Sequence, residues 1–404
     1  MNTKNNTNQP IKLYLLIFAY IAFTSLGIPD GMLGVAWPSI RSGFSLSLDA
    51  LGMLLMSTTG GYLISTFFIG RLIKRFGIGP LMVFACLLSA LAFFGYTIAP
   101  AWIVMVVLGI LTGFGAGIID AGANTYLAAE YNAGQMQWLH ACFGIGTTIG
   151  PVLMTASLAQ FAAWRPGYMV IAVFRLILAV GFLFFLPHWK MSQPLNTDQA
   201  GEKGLMDYHT SLRETLCQPQ TWASIVMFLL YTGAELTLGN WTYTLLTEGR
   251  GISPQMAGLW AGGFWATFTL GRILAGIYAA RIHLNRMMLY AILLALFGGV
   301  LFWWNSLATV SLLGIFITGF AMSPIYPGLV SGTRERVGAQ HAANTIGIQI
   351  SAAGLGGALL PSLAGVLAQR ISLETIPLML VISLIGLLVI FLISTPREKR
   401  ESVS

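Results

Sequence analysis

The chain has 404 residues, of which 56% are hydrophobic and only 9% charged, with a formal net charge of +7. A water-soluble fold of this length could not hide so much apolar side chain, because polar groups must cover its surface. Together with a mean hydropathy of +0.76 this excludes an ordinary soluble domain and implies a chain folded in a bilayer.

Runs able to cross about 30 Å of hydrocarbon fall at 12–37, 48–70, 79–99, 101–129, 137–163, 166–187, 220–247, 254–277, 286–305, 309–333, 341–369 and 374–395. The expected fold class is therefore an all-α polytopic membrane protein with twelve transmembrane helices. The first run reads as a retained helix, since another membrane segment follows it at once and no cleavable signal is evident.

Span 1 carries Asp30 between Pro29 and Gly31. A charge at mid-bilayer costs roughly 2.5–3.5 kcal/mol even on mild insertion scales, so such residues face a bundle interior or a water path. Proline frees a backbone carbonyl and glycine loosens the helix, as at sites in discontinuous helices. The plainer reading of Asp30 is a helix-end acid at the outer interface. Span 4 carries Asp120 and Asn124, one turn apart and on one face. They read either as a polar interhelical contact or as a proton-accepting acid beside a hydrogen-bonding amide. His140 opens span 5, either as a structural residue or as a proton relay near Asp120. Arg175 lies inside span 6 and needs a partner. An ion pair with Asp30 or Asp120 and a gating role are the two options.

The longest polar stretch, from His188 to about Pro219, separates the spans six and six. The expected organisation is an N-terminal six-helix bundle over 1–187, a cytoplasmic linker over 188–219 and a C-terminal six-helix bundle over 220–404. Span 7 then brings Glu235, a solute hydroxyl acceptor, a gate or half of a buried ion pair, followed by Trp241. Span 8 adds Trp265 and, near its inner end, Arg272. Spans 10 and 11 add Tyr326, Asn344 and Gln349. Acids and amides suit hydroxyl groups and tryptophans suit apolar C–H faces, a mixture that a sugar site needs and other solute pockets share. Trp37 and Trp241 read alternatively as interface-belt anchors.

Basic residues are distributed asymmetrically. With the N-terminus in the cytoplasm, Arg71, Lys74, Arg75, Lys190, Arg213, Arg286, Arg334 and others fall inside, and only Arg41, Arg165, Arg250 and Arg370 fall outside. This is the positive-inside pattern, so both termini are expected in the cytoplasm, and no nucleic-acid partner is needed to explain the charge. Cys86, Cys142 and Cys217 show no disulfide or zinc spacing. Gly113-x-Gly115-x-Gly117 and Gly354-x-Gly356-Gly357 lack the Lys-Ser/Thr of a phosphate loop and read as close helix packing. Neither His-Glu-x-x-His nor Gly-x-Ser-x-Gly occurs, so no enzyme is expected, and no cofactor or metal.

The halves repeat. Asp30, Gly34 and Trp37 in span 1 answer Glu235, Gly239 and Trp241 in span 7. Gly52 and Gly70 stand 18 apart, as do Gly258 and Gly276. Gly113-Phe114 precede Asp120 at the offset by which Gly319-Phe320 precede Tyr326. Parallel six-helix repeats with a midplane site are the arrangement of major facilitator transporters.

The segment Gly70-Arg71-Leu72-Ile73-Lys74-Arg75-Phe76-Gly77 resembles the loop 2–3 signature of that superfamily, with Lys74 where an aspartate is usual. Four further segments resemble its fucose–proton symporter-like branch: Gly117 to Asn124, Leu139 to Pro151, Tyr231 to Trp241 and Pro324-Ile325-Tyr326-Pro327, together with Gly271-Arg272. The resemblance implies proton-coupled symport of a small polar solute, a sugar, by alternating access, with proton-driven efflux of a metabolite or drug as the alternative. From residue chemistry and placement, with the resemblance strengthening Asp120, the expected proton-coupling residues are Asp120, Asp30 and Glu235, and the expected solute contacts are Asp30, Asn124, Glu235, Trp241, Trp265, Tyr326, Asn344 and Gln349; the branch's span 1 acid falls about a turn away from Asp30. His140, Arg175 and Arg272 are the expected gating or ion-pair residues. The partners implied are the solute, a proton (sodium being the other candidate ion) and the lipid bilayer. A monomer in a bacterial inner membrane is expected.

Overall fold

The computed structural model describes residues 8–131, 133–189, 210–278 and 282–395. Six long helices come first: α1 Asn8–Gly43, α2 Leu51–Phe76, α3 Ile78–Ile98, α4 Trp102–Glu130, α5 Ala133–Phe161 and α6 Arg165–Phe184. A short α7, Leu212–Leu216, leads into α8 Pro219–Thr244, α9 Pro254–Tyr278, α10 Leu284–Trp303, α11 Ala308–Met322 and α12 Ile325–Ser331. The short α13, Thr333–Val337, precedes α14 Ala339–Arg370 and α15 Thr375–Ser394. Among the described residues eleven helical spans are long and apolar enough to cross a membrane. α9 equals them in length but carries Gln255, Thr267, Thr269 and Arg272 and is not one of the eleven.

The elements follow from their ends. Proline opens α6 and α8, where a missing N–H costs nothing. Gly77, at φ +77°, turns α2 into α3 in a conformation that L side chains avoid. One expected span is interrupted. The run 309–333 breaks at Ser323-Pro324 into α11 and α12, where the proline removes a ladder bond and its ring crowds the preceding turn. Of the expected linker 188–219, residues 190–209 lie outside the described residues. Its later part forms α7, held by a capping box between Ser211 and Glu214.

Apolar surface does not drive helices together in lipid, so small residues let backbones approach instead. α1 and α5 show this reciprocally. A Cβ on Gly27 or Gly31 would stand 2.2 Å from the carbonyls of Phe143 and Thr147, and one on Gly146 would stand 2.1 Å from that of Thr24. The same holds for α4 on α2 at Gly113 and for α14 on α8 at Gly356, so both glycine-rich stretches are packing surfaces. Around these pairs α3 and α6 pack on the first group of helices, and α10, α11 and α15 on the second.

Three seams join the groups: α1 to α8, α2 to α14 and α5 to α9. They are tightest at the face away from the chain ends, called here the far face. There Arg41 makes a two-pronged ion pair with Glu248 at 2.8 Å, and the Leu48 N–H donates to Gln369 Oε1 at 2.9 Å.

A second arginine anchors the later helices. Arg250 donates through Nε and Nη2 to both Glu374 oxygens at 2.8 Å, through Nη1 to Ser311 Oγ and through Nη2 to the Phe302 carbonyl. Its side chain is 5% exposed and Glu374 is 38% exposed. Replacing Arg250 by methionine removes four bonds to a charged group and leaves a half-open carboxylate. We expect a stability loss of about 2–4 kcal/mol, read as a lower midpoint in detergent thermal unfolding.

Candidate solute and proton site

α1 presents Asp30 midway along its length. The residue is exposed although helices surround it, so it faces a water-accessible cavity inside the bundle. Its charge reaches Asp120, Glu235 and Arg175. The three intramembrane acids thus share one electrostatic neighbourhood. The outer-interface reading of Asp30 is corrected: α1 continues to Gly43, well past it.

Asp120 on α4 is half-buried. Asn124 donates Nδ2 to its Oδ1 at 2.9 Å, as helical spacing requires. Tyr62 on α2 donates to its Oδ2 at 2.5 Å. Sequence reasoning missed Tyr62, because a tyrosine in an apolar helix stands out neither by charge nor by cost. Only the close α2–α4 packing brings its hydroxyl to the acid.

The wall opposite comes from the later helices. Glu235 on α8 is buried, and Arg272 on α9 lies within electrostatic reach of it. Tyr231 stands beside both and donates its hydroxyl to the Met322 carbonyl at 3.0 Å. Arg272 lies 4.6 Å from the ring centre of Phe268. Tyr326 stacks edgewise on Phe228 at 5.1 Å and reaches Asp120, Glu235 and Arg272. It therefore connects the two walls. His140 is exposed, lies edge-on to Phe23 at 5.7 Å and is within reach of the Arg272 charge.

Other expected residues stand elsewhere. Trp241 is fully buried, donates Nε1 to the Pro361 carbonyl at 2.9 Å and packs on Gly365. It has no face free for a solute and is no interface anchor. Trp37 is equally buried, 5.7 Å from Trp102. Trp265 is 2% exposed and packs against Phe264, Phe268 and Gly239. Gln349 is fully buried, exchanging hydrogen bonds with Thr333. Asn344 donates to the Thr210 carbonyl and to Thr215 Oγ1, tying α14 to α7. These five are packing or latching residues in this conformation, since apolar burial and existing hydrogen bonds consume their faces. Arg175 makes no ion pair with Asp30 or Asp120. It donates to the Ser25 carbonyl at 2.8 Å. Among the described residues no three His, Cys, Asp or Glu gather as metal ligands would.

Long helices around a charged, water-accessible centre, sealed at one face, define a membrane transporter that binds a small-molecule substrate. The sequence profile of the Major Facilitator Superfamily matches residues 19–253 and again 223–404, and the chain belongs to that superfamily. It is a secondary transporter and not an enzyme. The chain is 23% identical to the glucose/mannose transporter GlcP of Bacillus subtilis over 355 residues, covering 86% of each. A bacterial homologue of the human lysosomal transporter Spinster, inward-facing and occupied, superposes with a TM-score of 0.79 at 12% identity, over 96% of this chain and 97% of that one. FucP in the outward conformation gives 0.64 at 14% identity, over 96% of this chain and all of that one.

Proposed function

We propose that this protein takes up a small polar solute, a sugar, by proton-coupled symport. One observation carries the reading. Of the three acids at the centre, Asp30 and Glu235 each have an arginine in reach, whereas Asp120 is held by the neutral donors Tyr62 and Asn124. A carboxylate taken out of water needs a counter-charge or a proton. Asp120 has no fixed cation beside it, so it is the acid that loads and releases a proton. Asp30 and Glu235, each with an arginine in electrostatic reach, accept solute hydroxyls, with Tyr326 and Asn124 completing the polar wall.

The alternating-access step is a rocking of bundle 1–187 against bundle 220–404, with 188–219 as the strap between them. The sealed far face and the exposed Asp30 correspond to a state open toward the terminal face. The basic residues assign that face to the cytoplasm, in a bacterial inner membrane. The sugar assignment is supported by GlcP, named for glucose and mannose, and by FucP, an E. coli fucose:proton symporter of the same fold.

The test is a pH electrode outside deenergised cells expressing the protein, challenged with glucose, mannose, fucose and polyols. Alkalinisation with one of them, absent from cells lacking the protein, is the expected result. Sugar entry that follows sodium without a pH change would replace the proton with sodium. Silence across the panel with expression verified would overturn the sugar reading.

A further inference from the structure

α1 loses a hydrogen bond one turn before its acid. A helical residue donates its N–H to the carbonyl four positions back, and proline has no N–H to give. Pro29 lies inside α1, so the Ser25 carbonyl lacks its helix partner. The Ser25 hydroxyl cannot serve, because it donates to the Ala22 carbonyl at 2.6 Å. The orphan carbonyl is filled from another helix: Arg175 on α6 donates Nη2 to it at 2.8 Å in a buried site.

An arginine is an expensive way to satisfy one carbonyl. Its side chain offers five N–H donors, and here Nε and Nη1 have no hydrogen-bond partner. The residue is 2% exposed, with the Phe93 ring centre 5.8 Å from Cζ. A serine or an amide could fill the carbonyl without burying a charge. What an arginine adds is that charge, and it reaches Asp30, five residues beyond the carbonyl on the same helix.

We infer that Arg175 is a positioning residue for Asp30, standing in for the amide that Pro29 lacks and holding a buried positive charge within electrostatic reach of the carboxylate that faces the cavity. The two parts of this role separate experimentally. Pro29→Ala returns an N–H to the helix, so it replaces the first part and not the second.

The experiment is a double-mutant cycle on the full-length protein: parent, P29A, R175M and P29A/R175M. Two quantities are read, the thermal midpoint in detergent and the KM and maximal rate of D-glucose uptake. R175M is expected to lower the midpoint by about 3 °C or more. P29A/R175M recovers most of that loss, a departure from additivity that contacting sites show. Its KM for glucose stays raised about tenfold with the maximal rate less affected, since the counter-charge is still missing. R175K, which keeps a charge and a donor, stays within about threefold of the parent in KM.

Additive losses of stability would overturn the carbonyl role. Recovery of KM along with stability in P29A/R175M would overturn the counter-charge role. If R175M does not reach the membrane, recovery of folded yield in P29A/R175M is the same readout. The uptake arm rests on the sugar reading above and the stability arm does not. A parent protein that ignores glucose would count against that reading alone, with Arg175 decided by the stability cycle.

Discussion

Asp120→Asn abolishes proton-driven accumulation while the protein still folds, inserts and exchanges solute. Accumulation by symport draws on the membrane potential, and about 100 mV is worth about 2.3 kcal/mol per charge moved. At about 1.4 kcal/mol per factor of ten, that supports roughly fifty-fold accumulation of a neutral solute. An asparagine at 120 cannot carry the proton, so the inside-to-outside ratio falls to about one. Folding is nearly spared. The amide has one acceptor oxygen where the carboxylate has two, so it keeps one of the bonds from Tyr62 and Asn124 and loses the other. That loss is worth about 1 kcal/mol. The measurement pairs concentrative uptake with counterflow, which needs no gradient. Lost accumulation with retained counterflow is the expected pair. Unchanged accumulation would remove Asp120 from the coupling role and pass it to Asp30 or Glu235.

The spans were legible because crossing hydrocarbon demands some twenty apolar residues in a row, and that demand is written locally. The acids were legible for the converse reason, as costly exceptions in those runs. What was not legible depends on which faces meet. Tyr62 becomes a partner of Asp120 only because α2 and α4 approach closely at Gly113. Trp241 and Gln349 looked available for a solute until packing consumed their surfaces. Arg175 is an intermediate case. Pro29 marks the Ser25 carbonyl as open by the rule of four, but nothing in the chain says which of several distant donors fills it. The proline of Ser323-Pro324 marks a local break, but the apolar residues on both sides of it read as one span.

The internal repeat has a consequence that sequence alone could not show: two of its matched glycines meet each other. Gly34 on α1 lies directly against α8, where a Cβ would stand 2.5 Å from the Gly239 carbonyl oxygen and 2.9 Å from that of Asn240. The three atoms nearest to that Cβ all belong to α8, across the seam. A side chain at 34 therefore penalises the state in which the far face is closed. Real Cβ atoms essentially never approach so near, and backbone cannot yield as a flexible side-chain end can. Gly34→Leu is expected to hold the far face open. The Arg41–Glu248 pair, with side chains 25% and 31% exposed, opposes this only weakly. Exposed pairs are worth about 0–1 kcal/mol, whereas a shift from almost wholly closed to almost wholly open needs about 5.5 kcal/mol. The wedge must supply that difference. The readout is a single cysteine at Ser362→Cys, which sits under Gly52 in the neighbouring α2–α14 seam, with the three native cysteines replaced. In the parent background an impermeant maleimide added from the far side labels it slowly. With Gly34→Leu it labels at least about tenfold faster, and uptake stops because the far face no longer seals. Gly34→Ala shows the same change to a smaller degree, guarding against a leucine variant that misfolds. Slow labelling together with normal uptake in Gly34→Leu would mean that the seam adjusts around position 34. The closure seen here would then not depend on the contact between the two repeats.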